Sequence, residues 1–116
     1  MADEPRALLI KCRPEDDFYV AWSDNTESPH WYGTRAEAAA HGYTQDRIAR
    51  ADQNGTSSLP GFYAWGDSGM VAEQRGFLPR RYLRAYVLLY DAGRMQAAFD
   101  LLEPFDDGED REVRRD

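Results

Sequence analysis

The sequence predicts an α+β domain: a small antiparallel sheet of three to five strands, two C-terminal helices packed on one face, and short helices at about 34–54. Three observations predict it. Two runs between Ala7 and Ser23 are apolar and of strand length, separated by a turn. Beyond Leu78 apolar residues return every three or four positions instead. Between these regions lie an alanine-rich stretch behind a capping pair and several Gly- and Pro-containing turns. At 116 residues and 42 % apolar composition, the chain has the length of one domain and can bury roughly two thirds of its unfolded surface. No run approaches the ~20 apolar residues of a membrane span.

The elements follow in order. Residues 1–6 read as a frayed end. Ala7 to Arg13 has strand length, with Leu8, Ile10 and Cys12 on one face. After the turn Pro14-Glu15-Asp16, the stretch from Asp17 to Ser23 sets Phe18, Val20 and Trp22 against Tyr19, Ala21 and Ser23, completing a hairpin. Residues 24–29 are loop chemistry, and Trp31-Tyr32-Gly33 adds a short strand. Thr34 with Glu37 three residues on has capping-box spacing, opening a helix that Gly42 stops. A second helix starts at Thr44 or Gln45 and ends by Asn54-Gly55. Its few apolar residues predict a surface position.

Thr56 to Gly61 is again loop. Phe62–Trp65 and Met70–Gln74 are short strand candidates, with Gly66–Gly69 as their hairpin loop. Leu78-Pro79 opens the strongest helix, whose apolar positions are 82, 83, 86, 87 and 90. Ala92-Gly93 breaks it. Met95, Ala98, Phe99 and Leu102 repeat the spacing until Pro104. Residues 1–105 therefore form the expected domain, and 106–116, charged and with nothing to bury, read as a disordered acidic tail.

Charge is uneven. The net is −7, of which residues 103–116 carry −4. A polyanionic partner is disfavoured by this sum, although a local basic patch can still bind one. Arginine outnumbers lysine 13 to one, which points to a high-GC coding sequence in a bacterium or phage. One cysteine permits no internal disulfide, and the acidic N-terminus differs from a secretion signal, so the expected compartment is the cytoplasm.

Catalytic and cofactor motifs are thin. Ala38–His41 and Gly66–Gly69 resemble fragments of the chymotrypsin-like histidine and serine motifs. Only 26 residues separate His41 from Ser68, however, and two β-barrels do not fit this length. Placing Gly55 at the obligatory glycine of a calcium loop puts Arg50 and Gly61 where oxygen ligands are required. His30, His41 and Cys12 form no zinc-ligand spacing. No metal and no cofactor is expected.

Two features stand above this background. The first is aromatic density: Tyr19, Trp31, Tyr32, Tyr63 and Trp65 fall on candidate strands, and one sheet with helices on one face leaves some of them on an outer face, which is either open for a partner or covered by the 34–54 segment. The second is Arg75, Arg80, Arg81 and Arg84, three of them within two turns of the strongest helix; they either grip an anionic partner or form a solvated face paired within the chain, with Asp91, Glu73 or the acidic tail. The expected function is non-enzymatic: a small protein-interaction or accessory domain of bacterial or phage regulation, binding a protein partner or a second copy of itself through the outer aromatic face. The alternative is a nucleic-acid-binding protein using the arginine cluster with stacking aromatics, its acidic tail acting as a built-in competitor. A third reading is a small enzyme using His30 or His41.

Overall fold

The computed structural model describes residues 5–104. The acidic tail expected at 106–116 lies outside the described residues. The architecture is α+β, with a three-stranded sheet, a two-stranded sheet and helices on both sides of the larger sheet.

Strands β1 (Leu8–Lys11), β2 (Tyr19–Ser23) and β3 (Ser28–Gly33) pair antiparallel in chain order, with Leu8 opposite Trp22 and Tyr19 opposite Gly33. The predicted hairpin is present with the predicted faces. Ile10, Cys12, Phe18, Val20 and Trp22 enter one apolar cluster; Leu9, Tyr19 and Ala21 enter another. Because strand side chains alternate, both faces of this sheet are buried, and the molecule has a layer on each side.

The first cover is α1 (Arg35–His41) with α2 (Gln45–Asn54). Thr34 and Glu37 close the expected capping box: the Glu37 amide donates to Thr34 Oγ1 at 3.2 Å and the Thr34 amide to Glu37 Oε1 at 2.8 Å. Gly42 and Gly55 end the two helices in left-handed conformations. Gly55 has a second reason to be glycine, because a Cβ there would stand 2.7 Å from the Trp65 ring. Helix α2 is not merely superficial. Ile48 and Ala51 are fully buried against Leu9, Tyr19 and Ala21. Two well-placed apolar residues suffice to seat it.

The second cover departs from expectation. Phe62–Trp65 is not a strand. Instead β4 (Gly69–Ala72) pairs forward with β5 (Gly76–Pro79) through a turn in which Glu73 and Gln74 have φ of 52° and 59°. Such φ values favour Gly or Asn, so the sequence hides this turn. The β2–β3 turn holds it in place: Glu27 O accepts the Glu73 amide at 3.0 Å, and Glu27 Oε1 accepts the Gln74 amide at 2.8 Å.

Leu78-Pro79 thus ends a strand rather than opening a helix. A 3-10 turn at Arg80–Tyr82 leads into α3 (Leu83–Asp91), and α4 (Met95–Phe99) is shorter than its apolar spacing suggested. The chain leaves α4 because Glu103 pairs with Phe77 across the β5 edge, the two exchanging backbone bonds of 2.8 Å. Leu83, Tyr86, Val87 and Ala98 join Met70, Ala72 and Leu78 on the Trp22 face.

Candidate functional site

Residues 57–68 contain no helix or strand, yet they are held from many sides. The anchor is Arg80, only 8 % exposed. Its guanidinium donates to the carbonyls of Lys11 (2.5 Å), Ala64 (3.0 Å) and Tyr63, and more weakly to that of Gly55 (3.4 Å). It also lies 5.0 Å from the Trp65 ring centroid. Burial pushes the Arg80 pKa down, with Asp67 opposing. A planar five-donor fork suits this task, since divergent carbonyls need donors in several directions at once.

The loop completes its own frame. Trp65 Nε1 donates to Gln53 O at 3.0 Å, and the Trp65 amide to Asn54 O at 2.8 Å. Ser58 Oγ accepts the Phe62 amide, and the Asp67 carboxylate accepts that of Tyr63, whose φ of 67° turns the chain back. Beneath it, Gly55–Ser57 runs along the outer edge of β1, with Lys11 N donating to Gly55 O and Ser57 N to Leu9 O. At the loop's tip the large apolar side chains point away from this frame: Leu59 is 80 % exposed and Phe62 57 %. A depression of about 600 Å³ beside them is lined by Leu8, Arg50, Ser57, Leu59, Pro60 and Phe62, among others.

The residues singled out in the sequence separate into several places. Tyr19 is buried, not on an outer face: α2 covers it, and its hydroxyl donates to Asp52 Oδ1 at 2.5 Å. Trp31 is half-buried, stacked on His41 with centroids 4.8 Å apart. Tyr32 packs on Phe18 and donates to Asp91 at 3.1 Å. Tyr63 and Trp65 belong to the anchored loop. The arginine cluster is dispersed. Arg80 is sequestered beneath that loop, Arg75 lies over Phe99 on the α4 side, and Arg81 and Arg84 flank a separate groove with Arg13. The physical reason is the 3-10 turn and strand before α3, which break the single helical face assumed for residues 80–84.

His30 and His41 line one cleft of about 280 Å³ with Trp31 and Tyr43. His30 Nε2 lies 3.3 Å from Thr26 Oγ1, and the His41 ring faces Trp31. Among the described residues neither is hydrogen-bonded to a carboxylate or to Cys12, whose thiol donates to Arg80 O at 3.3 Å. No group of three His, Cys, Asp or Glu among the described residues is placed to hold a metal ion. No described helix is long and apolar enough to cross a membrane.

The cleft does carry a titratable reporter. Burial pushes the Tyr43 hydroxyl up to about 12, with Arg47 opposing, while it donates to Ala7 O at 2.9 Å. A raised folded pKa gives stability that is complete below pH 10 and is lost as pH rises toward 12. The interval corresponds to about 3 kcal/mol. Urea melts between pH 9 and 12 should show that loss in the wild type and a shallower one in Tyr43→Phe. Parallel slopes would show that Tyr43 ionises equally easily in both states.

Leu59 is not among the residues the sequence singles out, and Phe62 reads there as a strand residue. The available signal was Leu59-Pro60-Gly61-Phe62, two large apolar residues around a Pro-Gly turn with no alternation on either side. The fold and the loop together define a three-layer α+β domain that displays an anchored apolar loop. No family model, no curated protein and no solved structure matches the chain.

Proposed function

We propose that this domain is a non-enzymatic protein-binding module that acts in the cytoplasm, in a regulatory or accessory role in a bacterium or phage, with the loop at 57–68 as its contact element. The reading rests chiefly on one observation: a buried arginine fixes a loop whose tip leaves Leu59 and Phe62 in water. Large apolar side chains on a loop cost solubility, and an ordered frame lowers the entropy lost when such a loop is immobilised by a partner. The free thiol of Cys12 is compatible with a reducing compartment. The partner's complementary feature is a shallow apolar pocket or segment able to take one Leu and one Phe.

The test is affinity capture from the source cell with the full chain as bait, repeated with a Leu59→Asp/Phe62→Asp variant. Both side chains are exposed, so the variant should melt within a few degrees of the wild type. A specific partner should be retained by the wild type and its affinity should fall about 30-fold or more in the variant. Equal retention by both would refute the loop as contact element.

A further inference from the structure

We propose that the arginine-lined groove at the start of α3 is a docking site for the chain's own acidic stretch, Phe105 to Asp110. The groove, about 460 Å³, has an apolar floor of Cys12, Ala85 and Leu88, with Leu88 42 % exposed. Arg13, Arg81 and Arg84 rim it. Arg13 is held by Asp16 at 3.2 Å, and Arg84 lies 4.8 Å from the Phe18 ring. That leaves the rim with more positive than negative charge and with apolar surface open to water.

The described chain arrives at this rim. Glu103, fixed by its pairing with Phe77, brings its carboxylate to 3.8 Å from Arg81. Residues 105–110 follow after one proline and carry one aromatic ring and four carboxylates with no positive charge. Asp106 is three residues beyond Glu103, a reach of about 10 Å at extended spacing, and Asp110 seven, about 23 Å. Arg84 is one helical turn from Arg81, about 5 Å farther along. Linkage within one chain sets an effective concentration in the millimolar range, so contacts that would hold a separate peptide only at about millimolar concentration suffice here. The apolar-then-acidic order of 105–110 matches an apolar floor behind a basic rim.

The inference is independent of the loop at 57–68 and is tested on the full chain. Backbone and arginine Nε resonances are compared, at 20 mM salt, between the wild type and a variant neutralised at Asp106→Asn, Asp107→Asn, Glu109→Gln and Asp110→Asn. Arg81, Arg84 and Leu88 should shift while Leu59 and Phe62 stay fixed. Raising salt in the wild type should move the same resonances the same way. A synthetic peptide of residues 105–110 should bind the neutralised variant about tenfold more tightly than the wild type, where the groove is filled. Superimposable spectra of the two proteins would overturn the proposal. Equal peptide affinity would overturn it as well, since the groove would then be vacant and open to an acidic segment from elsewhere.

Discussion

Replacing Asp52 by Ala should cost about 3–5 kcal/mol, because it strands a buried ammonium. Asp52, near the end of α2, receives Lys11 Nζ at 3.0 Å and the Tyr19 hydroxyl at 2.5 Å on one carboxylate oxygen, and Arg35 on the other. Lys11 is only 3 % exposed; among the described residues its ammonium has one other hydrogen bond, to Pro14 O, and it lies 4.7 Å from the Tyr19 ring centroid. The carboxylate therefore joins β1, β2, α1 and α2. Substitution with Asn removes the charge and leaves two strong donors facing a neutral amide, so it should also be destabilising, by less. Lys11→Met in the Asp52→Ala background should recover most of the loss, since the stranded charge disappears with the residue.

A pH series separates this account from simple loss of packing. Burial, and then Arg35, lower the Lys11 pKa from its ordinary 10.5. Between that lowered value and 10.5 the unfolded chain binds more protons than the folded one, so stability rises with pH. Without Asp52 the ammonium loses its nearest compensation and the interval widens downward. Urea melts from pH 7 to 9.5 should therefore show Asp52→Ala regaining stability with a positive slope that Asp52→Ala/Lys11→Met lacks. Indistinguishable slopes would mean that Lys11 reaches water once its partner is gone.

What the sequence disclosed was local. The β1–β2 hairpin follows from two apolar runs of strand length around a turn, and the start of α1 from the partners Thr34 and Glu37 three positions apart, which is as far as such patterns reach. The covering of the second sheet face was legible only in part. Ile48 and Ala51 show the right spacing, but α2 has too few apolar residues to declare itself a core element. Arg80 was illegible. Nothing near it distinguishes it from Arg81, and its acceptors are backbone carbonyls up to 69 positions away, which leave no residue-type signature. The β4–β5 turn was hidden for a related reason: Glu27, 46 residues earlier, supports a conformation that Glu73 and Gln74 would not adopt unaided. Tertiary hydrogen bonds overrode local preference at both places, and one of them built the candidate site.

Arg80→Met should accordingly do two separable things. It removes the Arg80 donor from four carbonyls, of which Gly55 O keeps the Lys11 amide and Ala64 O the Asp67 amide, in a region where Gly55 and Ser57 are themselves buried, so global stability should fall by about 3–5 kcal/mol. Arg80→Lys should recover little, because one ammonium on a flexible stem cannot serve acceptors on Lys11, Gly55, Tyr63 and Ala64 together. The second effect is local and specific to the loop. With Arg80 gone, Tyr63 and Ala64 lose their tether, while Trp65 keeps its bonds to Gln53 and Asn54. Amide exchange should accelerate most at Phe62, Tyr63 and Ala64, and proteolysis should concentrate between Leu59 and Phe62, under conditions where β1 and β2 stay protected. Partner affinity should then fall although Leu59 and Phe62 are unchanged, because ordering the loop becomes part of the cost of binding. A variant that loses stability uniformly, with loop exchange no faster than that of the core strands, would show that Arg80 serves the whole fold and that the loop owes its shape to its own bonds.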